Sequence, residues 1–210
     1  MERPNWMQTY SDQDLDPFDP KPEKIRFEDI AHGLACTNRF AGQQKGAPYT
    51  VAQHCVAGSY MIEPKFALAF LMHELDEVYL GDVITQVKRR LRVAIPGADY
   101  DDPGEDWYEI CRRHEEAIFE AIGATLPAEC AALLHSPEVK AMDLAMLAWE
   151  HRDLMGKPPH PWNIGVEPPE KAKNTILKAW PWDVAELAWN VRFRELLKYP
   201  PQHVGYAVLP

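Results

Sequence analysis

No stretch of this chain approaches the roughly 20 consecutive apolar residues of a membrane-spanning helix, so a membrane is not expected as a partner. Its first residues, Met1-Glu2-Arg3-Pro4-Asn5-Trp6, have no apolar core of the signal-peptide kind. Cysteine is sparse. Cys36, Cys55, Cys111 and Cys130 are scattered with no Cys-x-x-Cys pair, which argues against a zinc ribbon or a dithiol redox motif. These absences together suggest a reduced, cytoplasmic protein. Strand signals are nearly missing as well, with no sustained alternation and no Asn-Gly hairpin. No internal repeat is present. An excess of positive charge is also lacking: the net charge is −10, so duplex nucleic acid, which needs a basic face, is not an expected main partner. A small anionic substrate remains open, because a few local cations suffice for it.

What is present suits one soluble all-α domain of 210 residues with a full core. Residues 1–24, interrupted by Pro17, Pro20 and Pro22, read as an irregular arm. Residues 25–155 form the main body, and residues 156–210 carry C-terminal helices packed on the same domain. Within the body, a short helical segment opens near Ile25 with Asp29 as candidate N-cap, then gives way to a loop through Asn38-Arg39-Phe40-Ala41-Gly42. Thr50 and Gln53 form a capping-box pattern for the next helix, on which Val51, His54, Gly58 and Met61 share a face. A stretch from Gly81 to Arg92 places Val83, Val87 and Leu91 inward. Residues 95–106 read as an acidic loop, and helices follow over 107–122 and 127–134. Ser136 and Pro137 make a strong start signal for a helix whose stripe is Val139, Asp143, Met146, Leu147, Glu150 and Leu154. Two last helices are expected near 170–179 and 183–198.

The organising stretch runs from Ala67 to Asp82. It begins as an apolar run of buried-helix character, then delivers His73, Glu74, Asp76, Glu77 and Asp82. Burying one charge costs several kcal/mol unless it is paired or bound to a metal. Asp76 can turn outward, but the others cannot all do so while Phe70, Val78 and Leu80 stay inside. His73 and Glu77, four residues apart, share a helix face. Solvated acids at a helix end are the plainer alternative. His54, His73, Glu74 and Asp143 thus stand on apolar faces, and two imidazoles with two carboxylates suit a divalent transition metal.

These motifs resemble the HD-domain metal-dependent phosphohydrolases. The resemblance is carried by Tyr49-Thr50-Val51-Ala52-Gln53-His54, by the run from His73 to Asp82, and by Asp143. Asp29-Ile30-Ala31-His32-Gly33-Leu34 and Asn38-Arg39-Phe40 add to it. It covers roughly residues 6–155 and is nearest the small deoxynucleotide-hydrolysing branch, which includes bacterial 5′-deoxynucleotidases and phage deoxynucleotide triphosphohydrolases. The chain departs from the family at two places. Glu74 stands where the family has Asp, its carboxylate one methylene farther out, and Ile84-Thr85-Gln86 replaces the prolines that often precede the lysine matched by Lys88.

The resemblance implies an HD-domain helical bundle holding one divalent cation (Zn, Co, Mn, Fe, Ni or Mg) on His54, His73, Glu74 and Asp143. It implies that Glu77 and Asp82 activate the attacking water and that Arg39 grips phosphate. Lys88 and Lys140 would add positive charge, with solvated surface the alternative for both. Phe40 would lie against the sugar at C2′, excluding a ribose hydroxyl; anchoring of the loop is its other reading. Gly42 and Gln86 would border the base, and His32 would stack or hydrogen-bond nearby unless it serves as a helix cap. The implied activity is triphosphohydrolysis of a 2′-deoxynucleotide, dATP foremost, with a 5′-nucleotidase on deoxynucleoside monophosphates second. A catalytically impaired nucleotide-binding protein is the third reading. A nucleotide partner, a homo-oligomer and a phage origin in the host cytoplasm complete the expectation.

Overall fold

The computed structural model describes residues 5–94 and 104–197. Of the acidic loop expected over 95–106, residues 95–103 lie outside them, as do residues 1–4 and the chain beyond 197, while Glu105–Asp106 pair as a short strand. The fold is all-α, as the sequence implies. Its main helices are α1 (Phe27–Cys36), α2 (Val51–Met61), α6 (Trp107–Ile122), α8 (Pro137–Leu154) and α9 (Trp182–Leu197). Shorter ones are α3 (Ala67–Leu71), α4 (Glu77–Leu80), α5 (Thr85–Lys88) and α7 (Glu129–Leu133). Two minimal antiparallel ladders complete it: β1 (Met7–Gln8) with β2 (Asp14–Leu15), and β3 (Arg92–Val93) with β4 (Glu105–Asp106).

Local chemistry accounts for the helix starts. Thr50 caps α2 by accepting from the Gln53 N–H at 3.2 Å. Only half of the capping box forms, because the Gln53 amide turns away to donate to Lys178 O and accept from Trp180 N. Ser136 caps α8 by accepting from Val139 N–H, with Pro137 in the first turn. Asp106 caps α6 through Tyr108 N–H.

Five local expectations are corrected. Asp29 is not a cap: α1 starts after Arg26, and Asp29 is buried, accepting from Ser11 N–H (2.8 Å), Ser11 Oγ (3.0 Å) and Tyr79 OH (3.1 Å). The N-terminal arm is thereby tied to the body, with Leu15 fully buried. Val87 is 45% exposed because only a single turn of helix forms there, although Val83 and Leu91 do pack inward. Asp76 does not turn outward; it is 6% exposed, and burial raises its pKa. The helix expected near 170–179 is one 3-10 turn, Glu170–Ala172, entered directly from Pro168 and Pro169.

The fifth correction concerns the stretch from Ala67 to Asp82, which is not one helix. It breaks after Leu71 and resumes at Glu77. The ring Nδ1 of His73 donates to Phe70 O at 2.6 Å, taking the carbonyl that a continuing α-helix would offer to Glu74 N–H. His73 and Glu74 therefore project from a turn, and His73 and Glu77 do not lie on one continuous helix.

The apolar core has a main cluster that joins Leu34 of α1, Val51 and Val56 of α2, Leu71 of α3, Ile118 of α6, and Trp189 and Phe193 of α9. A second cluster joins Tyr49, Phe70, Val139, Met146 and Trp149. Burying each of these large side chains contributes about 1.5–3 kcal/mol. Gly58 permits the approach of α3 to α2, since a Cβ there would collide with the Phe70 ring.

Candidate metal centre

Three elements meet beside the second cluster: the buried His54 face of α2, the turn between α3 and α4, and the inner face of α8. One donor atom from each of His54, His73, Glu74 and Asp143 lies within 4.8 Å of all the others. The two Nε2 atoms are 3.3 Å apart, and Asp143 Oδ1 stands 3.3 Å from His54 Nε2 and 3.7 Å from His73 Nε2. Glu74 Oε1 is 3.6 Å from His73 Nε2. Donors held at about 2.0–2.2 Å from one cation would be separated by roughly these distances. The longer Glu74 side chain reaches the cluster, and Arg39 Nη1 donates to the same oxygen at 3.1 Å.

The ring hydrogen bonds favour the same arrangement. A carbonyl and a carboxylate can only accept, so the Nδ1 atoms of His73 (to Phe70 O) and of His54 (to Glu150 Oε1, 2.5 Å) carry the protons. Both rings then aim the Nε2 lone pair at the common point, the orientation that metal-bound imidazoles adopt. Asp143 Oδ1 is buried without a hydrogen-bond donor, although the side chain as a whole is 41% exposed. One oxygen thus faces inward while the carboxylate opens to solvent.

Charge balance points the same way. Glu74, Glu77, Asp82, Asp143 and Glu150 surround the site, and Arg39 and Lys88 are the fixed cations paired into it. Burial and Arg39 pull the His54 pKa down, but Glu150 and Asp143 outweigh them and the net shift is upward. Burial opposes charge on His73 too, yet Glu74 and Asp143 raise its pKa well above the ordinary value. Against the cost of burial, the two histidines hold Asp143 well below the usual carboxylate range. Protons and a divalent cation would compete for the same Nε2 atoms. The donor set, the unpaired inward oxygen and the surplus of carboxylates fit such an ion.

The other expected residues divide into two groups. Glu77 is 2% exposed and accepts from Lys88 Nζ at 3.1 Å, while its Oε2 is buried and unpartnered. Burial, then the nearby Glu74 and Asp82 charges, raise its pKa well above the ordinary carboxylate value. Asp82 accepts from Phe40 N–H at 3.2 Å, and burial raises its pKa. Phe40 and Ala41 adopt left-handed backbone (φ 59° and 49°), an uncommon and strained conformation for such residues. Arg39 is buried, donating to Glu74 through Nη1 and to Glu150 through Nε; its Nη2 is 4.0 Å from Asp143.

The second group stays apart from the donors. His32 stacks on Tyr10 (3.8 Å), meets the Trp182 edge and pairs with Glu186 at 3.1 Å, none of them a member of the cluster. Lys140 is exposed on α8, one turn before Asp143. Gln86 is exposed, with its carbonyl accepting from Arg90, and Gly42 (φ 72°) borders open space.

Sequence reasoning passed over Glu150 and Tyr49 as site residues. Glu150 is fully buried behind His54, and Tyr49 OH donates to it at 3.0 Å. The available signal was a second carboxylate on the apolar stripe of α8, seven residues and two turns after Asp143. Trp162, packed on His151 (4.4 Å) and beside Phe40 (6.2 Å), was likewise not singled out in the sequence.

The chain is therefore an all-α protein with a His-Glu-Asp cluster able to hold a metal ion. No protein-family model matches it. It is 34% identical over 163 residues to an uncharacterized protein of Rhodobacter capsulatus, an alignment covering 72% of this chain and 74% of the relative. It is also 34% identical over 132 residues to the uncharacterized protein YfdR of Escherichia coli, covering 63% and 62%. The chain belongs to the same family as the Rhodobacter capsulatus protein. No helix among the described residues is long and apolar enough to cross a membrane.

Proposed function

We propose that this chain is a metal-dependent phosphohydrolase of the HD-domain kind acting on 2′-deoxynucleotides, with dATP the leading substrate and the triphosphate group the leaving product. The observation that carries it is the convergence of His54, His73, Glu74 and Asp143 beside the buried carboxyl of Glu77, one oxygen of which has no partner. A divalent cation held by those four residues would supply Lewis acidity and positive charge for a phosphoryl group. Glu77, its pKa raised above the ordinary carboxylate value by burial and the nearby Glu74 and Asp82, would act as the general base when water attacks phosphorus. Lys88 holds the other oxygen of Glu77 and so orients it. Asp82 accepts from the Phe40 N–H and so ties the Arg39-Phe40 loop to the segment that carries Glu77. Arg39 has two of its donors spent on carboxylates and keeps Nη2 for a phosphate oxygen. The Phe40 ring offers no partner to a ribose 2′-hydroxyl, and an unpaired buried hydroxyl costs about 1–3 kcal/mol, or roughly 5- to 150-fold in selectivity.

The test is a panel of ribo- and deoxynucleoside mono- and triphosphates assayed with Mn²⁺, Co²⁺, Zn²⁺ and Mg²⁺, with products resolved by chain length. Release of tripolyphosphate from dATP ahead of ATP is expected. Release of orthophosphate from monophosphates alone would replace the triphosphohydrolase by a 5′-nucleotidase. Equal kcat/KM for dATP and ATP would remove the sugar preference, and no hydrolysis under any metal would overturn the enzyme reading.

A further inference from the structure

Glu150 is 0% exposed, and its three contacts are all donors. One oxygen accepts from His54 Nδ1 at 2.5 Å and from Tyr49 OH at 3.0 Å; the other accepts from Arg39 Nε at 3.2 Å. A buried carboxylate is tolerated only when satisfied in this way. With both oxygens occupied, and with Glu150 outside the set of mutually close donor atoms, it is not itself a ligand.

We propose that Glu150 is the positioning carboxylate of the metal centre, fixing His54 as an Nε2 donor and holding Arg39 against Glu74; this rests on the metal-site reading above. Because a carboxylate cannot donate, it forces the proton onto His54 Nδ1, and the only lone pair left to the ring is on Nε2. That atom points at His73 Nε2 and Asp143 Oδ1, each 3.3 Å away. The two histidines are thereby held differently. His73 is held by the neutral Phe70 carbonyl, whereas His54 is held by an anion, which makes it the stronger donor of the pair. From Glu150 the chain of contacts runs on through Arg39 Nε and Nη1 to Glu74 Oε1, so one buried side chain aligns ligands from α2 and from the α3–α4 turn. Tyr49 adds a third donor but touches no ligand, and its contribution is correspondingly smaller.

The experiment measures Co²⁺ binding by calorimetry, and the visible spectrum of the bound ion, in the full-length wild type, Glu150→Gln, Tyr49→Phe and Asp143→Ala. Glu150→Gln keeps the shape but presents an amide to either His54 or Arg39, and should weaken Co²⁺ about 10- to 100-fold with an altered spectrum. Tyr49→Phe should stay within a few-fold of wild type, and Asp143→Ala should lose the ion. Wild-type affinity and spectrum in a folded Glu150→Gln would overturn the positioning role while leaving the metal site intact. No Co²⁺ binding by wild type would instead overturn the metal-site reading, and this proposal with it. If Glu150→Gln fails to fold, long-range ¹H–¹⁵N spectra of the wild-type histidines decide the matter. Retention of the His54 Nδ1 proton in the Zn²⁺-loaded protein is expected, and coordination through Nδ1 would overturn the proposal.

Discussion

Helix α2 faces two environments that obey different rules. On one side Ala52 and Val56 belong to a cluster with Leu34, Trp189 and Phe193, an apolar interface where shape and area are what matter. On the other side His54 enters a seam of charges with His73, Glu74, Asp143, Glu150 and Arg39. The apolar side stabilises the fold whatever is bound. The charged side has a desolvation cost that its internal pairs offset in part, and its four clustered donors could hold a cation. Changes on the two sides should therefore separate: one set moves stability and spares metal, the other moves metal or rate and largely spares the fold.

The largest separation is expected at Glu77. Glu77→Gln should lower kcat by roughly 10²–10⁴ while metal content stays near stoichiometric, since Glu77 is outside the four-donor set. Loss of metal measured by elemental analysis would make Glu77 a ligand and redraw the seam. On the apolar side Trp189 is fully buried, and Trp189→Ala should destabilise by about 3–5 kcal/mol in urea titration. Its metal stoichiometry below the unfolding transition should not change; a parallel loss of metal would show that the two faces of α2 are not independent.

A third measurement sharpens the charged side. In the metal-free protein the His54 and His73 pKa values are raised, so below those values the rings hold protons that a metal must expel. Metal affinity should therefore weaken steadily as pH falls, with release of up to about two protons per ion on binding. Calorimetry in buffers of different ionisation enthalpy counts them, and binding independent of pH would remove both histidines from the ligand set.

The smallest effect is expected at His114, a buried histidine outside the seam. Its Nε2 donates to Pro17 O at 2.7 Å and its Nδ1 is buried without a partner. Burial lowers its pKa, aided by Arg113 and opposed by the Pro17 bond. A pKa lower when folded than unfolded means the stabilising contribution is present above the unfolded value of about 6.5 and is lost as pH falls through the folded value. Between pH 7.5 and 5, wild type should lose more stability than His114→Gln; equal losses would show that this ring does not titrate with folding.

The starts of α2, α6 and α8 were legible from single residues, because capping and the first-turn proline act within four residues of chain. That His54, His73 and Asp143 come together was legible for a related reason: ionisable groups interrupting apolar stripes cannot be left unpartnered. The break after Leu71 was not legible. Local pattern favoured one helix through Glu77, and only the His73 ring, by taking the Phe70 carbonyl, ended it. Asp29 and Asp76 were misread for the same reason, since whether an acid caps, solvates or is buried depends on partners such as Ser11, Tyr79 and Cys111 that lie far away in sequence.

Pattern along the chain therefore specified which residues must be buried, because hydrophobic periodicity and the cost of bare charge are properties of a segment. It left open which buried groups meet. That Glu150 stands behind His54 and ties it to Arg39 joins residues 96 and 111 positions apart, and such pairings arise only when packing brings α2, the Arg39 loop and α8 together.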